Sequence, residues 1–221
     1  YYALIINNLI KDKGSLVSIE PSETNFKLLK KNLELNNCKR VITINGAVSD
    51  TNSKKKFYLS NMSNLNSFHN QGSVSKHLSG REVIVDTYTV PEIINKTKII
   101  PNLIRMDVEG HEVEILKGMI NILQSNEISP IIVFETHITT YNSNHSINEI
   151  LLELFKIGYK AKIVGSSREH GSKLLESLGY KSDKTFLTDK VKRKIFYDIK
   201  KNDLFELLEN KGGIRSILLS K

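Results

Sequence analysis

Asn102-Leu-Ile-Arg-Met-Asp107-Val-Glu109-Gly110-His-Glu-Val-Glu-Ile-Leu-Lys-Gly118 changes its hydrophobic period halfway along. Asn102–Met106 is a short, mostly apolar run that predicts a strand, whereas Val113, Leu116, Ile120 and Leu123 recur at spacings of three and four, which predicts a helix. Gly110 lets the chain turn sharply between them. A strand passing directly into a helix is half of a βαβ unit, and such units stack into a mostly parallel sheet covered by helices.

The same alternation extends in both directions. Upstream, Leu16–Ile19 predicts a strand closed by Glu20-Pro21, with Ser22 placed to cap a helix that carries Phe26, Leu29 and Leu33 on one face and runs to about Asn36. Val41–Ile44 is the next strand and leads into Gly46-Ala47-Val48-Ser49-Asp50. Downstream, Pro130–Phe134 is an unbroken apolar run, as expected of a central strand buried on both faces. A helix over Ile147–Lys156, a strand over Tyr159–Val164 and a closing turn and strand over Lys211–Leu219 follow. The expected fold is therefore α/β and doubly wound. No linker or repeat divides the chain, so residues 1–221 are expected to form a single domain.

Residues 51–86 interrupt the rhythm. Lys54–Leu59 and Glu82–Val85 predict strands, and the Asn-, Ser- and Gly-rich stretch between them is too long for an ordinary connection. We expect an insertion here, with its 61–80 portion closing as a lid over the site. Residues 1–153 are balanced in charge, and the whole net excess of +8 falls in 154–221. A basic, partly helical segment over 165–210 is expected, with Lys190–Lys201 forming a solvated helix face. A basic segment also suits an anionic partner, so nucleic acid is possible, though not favoured.

At 39% hydrophobic and 25% charged, the chain is globular rather than disordered or fibrous. The apolar runs at Ile128–Phe134 and Ile147–Phe155 fall short of the ~20 residues that cross a bilayer. Cys38 is the only cysteine, which rules out an intrachain disulfide and a cysteine-bearing zinc cluster and suits the cytoplasm. The chain begins at Tyr1 within a helix-patterned run, so a first strand and a glycine-rich turn are expected upstream. No GxGxxG, P-loop, GxSxG or HExxH run occurs.

In an open parallel sheet, ligands bind beyond the carboxyl ends of the strands. Three strands here end in acids: Glu20, Asp107 and Glu135. Glu20 is placed either to accept ribose hydroxyls or to cap the next helix with Ser22. Alternation along the strand end turns Asp107 and Glu109 to one side, where a carboxylate pair can hold an ammonium group, bind a metal or take a hydroxyl proton. Glu112 and Glu114 are accounted for by the dipole of the helix they begin. His137, two residues past Glu135, is a candidate for moving a proton near neutral pH. His111 and His145 are weaker candidates, and no histidine pair has zinc-ligand spacing.

Ser18-Ile-Glu20-Pro-Ser22 with Asn25-Phe26 and Asn32-Leu33, Gly46–Asp50, Ile104–Gly118 and Val133-Phe-Glu135 together resemble the FkbM-type methyltransferases, in order and spacing, from about Leu16 to His137. The resemblance implies a Rossmann-like class I methyltransferase fold with a mostly parallel sheet. It also implies S-adenosylmethionine as methyl donor and a hydroxyl on a sugar, polyketide or related small molecule as acceptor. Carried over by position, Glu20 would hold the ribose, Ala47 and Val48 would flank the adenine, and Asp107 would lie near the methionine end. Glu109, Glu135 and His137 would face the acceptor. The family's glycine-rich first motif is absent from this chain. The alternatives are an RNA or protein methyltransferase, a silent Rossmann-like module binding an anionic partner, and, through Glu20, a dinucleotide-dependent dehydrogenase. Metal dependence and oligomeric state are not readable.

Overall fold

The computed structural model describes residues 1–70, 72–182, 184–188 and 190–221. The chain forms two compact units, Tyr1–Asn70 with Val74–Ile100, and a second built essentially from Pro101–Lys221.

The first unit opens with α1 (Tyr2–Ile10), β1 (Leu16–Glu20), α2 (Glu23–Leu35) and β2 (Val41–Asn45). β1 and β2 pair in parallel with Leu16 opposite Val41 and Glu20 opposite Asn45, so Glu20 and Gly46-Ala47 leave neighbouring strands at the same end. Ser22 caps α2 as its sequence predicts, accepting from the Asn25 amide at 3.5 Å. The unit continues through β3 (Ala47–Val48), β4 (Ser53–Ser60), β5 (Leu78–Tyr88) and α3 (Val90–Thr97). β4 and β5 form an antiparallel ribbon, with β3 parallel to β5 on its other edge. Residue 71 of the expected lid lies outside the described residues; within the same stretch Ser67 exchanges two backbone hydrogen bonds with Tyr58, and Phe68 packs edge-on against Phe57.

The second unit runs through β6 (Leu103–Met106), α4 (Glu112–Gln124), β7 (Ile131–Glu135), α5 (Ile147–Lys156), β8 (Lys160–Ser166) and α6 (Glu169–Ser177). It ends with β9 (Thr185–Thr188), β10 (Val191–Tyr197), α7 (Lys201–Glu206), one π-helical turn (Leu207–Lys211) and β11 (Ile214–Ser220). Its six strands lie in the order β6-β7-β11-β8-β10-β9.

This sheet is mixed, which corrects the expectation of a mostly parallel one. Among the described residues only β6 and β7 are directly parallel in it; β11 inserts antiparallel between β7 and β8, and β10 is antiparallel to β8 and β9. The Gly212-Gly213 turn makes the return of β11 possible, since both glycines have positive φ (69° and 97°) and a Cβ on Gly213 would stand 3.1 Å from Gly171 Cα.

A second correction concerns Lys190–Lys201, expected as a helix face. Val191–Tyr197 is instead a strand whose Phe196 is fully buried. Charged residues at mixed spacing carry no reliable period, and pairing with β8 and β9 decided the outcome. The segment remains partly helical through α6 and α7.

β7 has a strand on each side, but it is not buried on both faces as its apolar run predicts: Ile132 and Phe134 are completely buried, as are Leu116, Met119 and Leu123 of α4 and Leu151 and Leu154 of α5, whereas Ile131 on the opposite face is 41% exposed. This packing fixes the ends of β6 and β7 and the start of α4. No helix among the described residues is long and apolar enough to cross a membrane.

Candidate active site

β6 ends at Met106, which is buried, and the chain leaves it through Asp107-Val108-Glu109-Gly110. The turn is left-handed at both Glu109 (φ 51°) and Gly110 (φ 102°). Glycine is required at 110, because a Cβ there would meet Thr140 Cβ and Cγ2 at 2.8 Å. A glutamate in the left-handed region is uncommon, and such local strain concentrates where a side chain must be aimed.

That side chain is aimed at His137. β7 delivers His137 two residues beyond its end, where the residue opens a 3-10 turn over Ile138–Thr140. The imidazole Nε2 lies 3.4 Å from Glu109 Oε2 and 3.8 Å from Asp107 Oδ1. Its Nδ1 lies 2.8 Å from Glu112 Oε1. The side chain of His137 is only 10% exposed, and that of Glu112 is not exposed at all.

Parallel pairing of β6 and β7 places Met106 opposite Phe134, so the residues that follow these strands emerge side by side. Asp107, Glu109, Glu135 and His137, all singled out from sequence, therefore gather in one place. Two arginines offset part of the negative charge: Arg105 pairs with Asp107 at 3.0 Å and Arg215 of β11 pairs with Glu135 at 2.5 Å.

Burial, with like charge from Asp107, Glu135 and Glu112, raises the Glu109 carboxyl from its ordinary 4.5 to about 7 against the opposing pull of His137. Burial and the nearby Asp107 also raise Glu135, against Arg215 and His137. Burial works against a charged imidazole, but Glu112, Glu109 and Asp107 together outweigh it and lift His137 from 6.5 to about 9. At neutral pH the ring is an imidazolium, and Glu109 stands near its midpoint.

Three donor atoms, one each from Asp107, Glu135 and His137, lie within 4.8 Å of one another. This set has the chemistry to hold a divalent cation. Sequence spacing does not reveal it, because the ligand atoms come from two strand ends.

Glu112 and Tyr141 are the site residues that sequence reasoning misses. Glu112 accepts from the Val108 amide (3.3 Å), His137 and the Tyr141 hydroxyl (3.1 Å), while that hydroxyl accepts from the His137 amide (3.1 Å). An acid in a first helical turn looks like a dipole partner, so only complete burial distinguishes Glu112. His111 and His145, both weak candidates from sequence, lie 3.2 and 3.1 Å from Glu114, and His145 Nε2 is 2.8 Å from Gly110 O. They brace the turn from its other side.

In the first unit, Glu20 does what its capping alternative predicts, accepting from the Ser22 amide at 2.9 Å. Burial raises its carboxyl, with the Ser22 and Asn25 bonds opposing. Gly46 N donates to Glu20 O at 3.2 Å, and the small Ala47 is 5% exposed in β3, followed by Val48. A half-buried carboxylate beside a small apolar step fits a ribose and an adenine face, since an ionised acid can accept further donors beyond the capping amide.

An α/β chain with acids at its strand ends carries its candidate site where open parallel strands present their ligand-binding side chains. The model of the Methyltransferase FkbM domain matches residues 2–161, and the chain belongs to the FkbM methyltransferase family. Every strand-end residue named above except Arg215 falls within that match. The chain is similar to the hexuronic acid methyltransferase AglP of Haloferax volcanii, 46% identical over 56 residues, which is 25% of this chain and 20% of that protein. It is also similar to the crystal structure of Methyltransferase FkbM from Methylobacillus flagellatus KT, at a TM-score of 0.43 and 16% identity, covering 88% of this chain and 40% of that one. The chain thus spans 20% and 40% of the lengths of these two relatives.

Proposed function

We propose that this protein transfers a methyl group from S-adenosylmethionine to a hydroxyl of a sugar acid or related small molecule, with Glu109 as the base that takes the hydroxyl proton. The observation that carries this reading is the placement of Glu109, with its carboxyl raised to about 7, at 3.4 Å from a buried imidazolium. A carboxylate balanced near neutral pH is strong enough to accept a proton and is largely ionised above its midpoint. His137, held charged by Glu112, is in the wrong state to be that base and serves as the fixed cation that orients Glu109 and the acceptor oxygen.

When bound, S-adenosylmethionine supplies an electrophilic methyl carbon on its sulfonium. Glu20 would accept from its ribose hydroxyls, Ala47 and Val48 would line the adenine, and Asp107 would attract the cationic methionine end. Positioning the acceptor oxygen for in-line attack supplies much of the remaining barrier lowering, on the order of several kcal/mol. Glu135, tied to Arg215, would hold a second acceptor hydroxyl. The hexuronic acid acted on by the Haloferax protein makes carboxylated sugars the first acceptors to try.

The test is to supply methyl-labelled S-adenosylmethionine with a panel of hexuronic acids and neutral sugars and to follow label in the sugar. Label in an acceptor, lost in Glu109→Gln, supports the reading. Label in no sugar, together with no binding of S-adenosylhomocysteine, removes it.

A further inference from the structure

The net positive charge of residues 154–221 has no part in the proposed transfer step. It is dense over residues 181–194, which hold six Lys and Arg against two Asp. This stretch contains β9 and the first half of β10.

Strand register places it. Ser216 of β11 stands opposite Glu135 of β7 on one side and Gly165 of β8 on the other, and Gly165 stands opposite Ile195 of β10. These four residues form a row across the end of the sheet from which Glu135 and His137 emerge. β10 runs antiparallel to β8, so the residues that precede Ile195 lie beyond this row. Among the described residues, Val191–Lys194 pair with β9 alone, whereas Ile195–Tyr197 pair with β8 alone. β9 and the start of β10 are thus a two-stranded ribbon that overhangs the sheet on the side of the candidate site, by about 13 Å for four residues of strand.

Every residue of β9 is exposed, Leu187 by 71% and Phe186 by 43%. A lone exposed leucine is ordinary. Here the two apolar residues are adjacent and point to opposite faces of the ribbon, and each has a cation directly across from it: Lys192 opposite Leu187, and Arg193 opposite Phe186. Arg193 donates to the Thr188 carbonyl at 2.8 Å and ties the two strands near the tip. The acids of α6 that share a cleft with Lys192 are already neutralised, Glu169 by Lys173 and Glu176 by Lys194. Lys184, Lys190 and Lys192 are exposed and enter no ion pair among the described residues.

Nucleic acid would engage the lysines and leave Leu187 and Phe186 in water. An anionic bilayer takes both, because apolar side chains enter its interfacial layer while lysines stay among the headgroups. We infer that the β9–β10 ribbon docks the protein peripherally on an anionic lipid surface, with the Glu135 and His137 end of the sheet turned toward the membrane. This does not depend on the proposed methyl transfer.

The chain has no tryptophan, so Leu187→Trp places a single fluorescent reporter at the tip. Its emission should shift to the blue, and be quenched by bromine-labelled lipid, with vesicles of mixed phosphatidylcholine and phosphatidylglycerol but not with phosphatidylcholine alone. In cosedimentation, the triple variant Lys184→Gln, Lys190→Gln, Lys192→Gln should bind the mixed vesicles on the order of 10²-fold less tightly, about fivefold for each lysine. Lys13→Gln, Lys31→Gln, Lys39→Gln makes the same change in net charge on exposed residues of the first unit and should bind like the wild type. Phe186→Ser with Leu187→Ser should bind at low salt and release at physiological salt, because only the screened electrostatic part remains. A wild-type protein that binds no mixed vesicles overturns the inference. So do two lysine triples that weaken binding equally, or a bound Leu187→Trp protein whose emission does not shift. Binding to single-stranded RNA that depends on the three ribbon lysines, with none to vesicles, overturns it in favour of nucleic acid.

Discussion

Glu109 Oε2 lies 3.4 Å from His137 Nε2, and the backbone that brings it there is left-handed, with φ at 51°. The contact joins two groups whose surroundings push their proton affinities to different places, Glu109 to about 7 and His137 to about 9. Between those values the pair is a carboxylate and an imidazolium, a poised base beside a fixed cation.

Glu109→Gln keeps the shape and removes the base, so kcat should drop roughly 10²–10⁴-fold. In the wild type the rate should rise with pH through about 7 as Glu109 loses its proton, and the variant should lack that rise. A pH–rate profile of both proteins checks this. A wild-type profile flat between pH 5.5 and 8.5 would exclude Glu109 as the base.

Stability should carry the mark of His137. Its folded-state value of about 9 lies above the ordinary 6.5, so the folded protein binds this proton more tightly than the unfolded chain does. The resulting stabilisation is complete below pH 6.5 and is lost as pH rises through about 9. Melting temperature should fall across that window, and His137→Gln should flatten the fall. Equal slopes in the two proteins would contradict the assignment.

Gly110→Ala should disrupt fold and site together. The left-handed backbone costs an alanine about 1–2 kcal/mol, and its Cβ would press on Thr140, whose hydroxyl donates to His137 O at 2.7 Å. We expect a melting temperature several degrees lower and reduced turnover. Thr140→Gly in the same protein removes the colliding atoms but not the backbone strain, so it should recover only part of the loss. Full recovery would mean that the left-handed turn is not strained.

Glu20→Ala should weaken binding of S-adenosylhomocysteine at least about tenfold, because hydrogen bonds to a charged group contribute ~1.5–3 kcal/mol each. It also removes the acceptor of the Ser22 amide, so α2 should lose some protection. Calorimetry separates the two effects from amide exchange. Unchanged affinity with a frayed α2 would leave Glu20 as a cap and nothing more.

The sequence alone determined whatever depends on neighbours along the chain. The switch from strand to helix period around Asp107–Gly110, the Ser22 cap, the helix over Ile147–Lys156 and the apolar run of β7 were all legible, because each is set by residues a few positions apart. Acids and a histidine just beyond strand ends were legible for the same reason: a strand's end is a local event.

Only the tertiary structure decided which strands became neighbours and which way they ran. The insertion of β11 between β7 and β8 brings Arg215 to Glu135 across 80 positions, and no period records it. Pairing with β8 and β9 made a strand of a lysine-rich stretch that looked like a helix face. Glu112 became a site residue only because β7 delivers His137 and Tyr141 from 25 and 29 positions away to a carboxylate that α4 has already buried. Local sequence sets dihedral preference and amphipathic period, whereas the partner of a buried charge is chosen by packing, where an unpaired carboxylate would cost too much to remain.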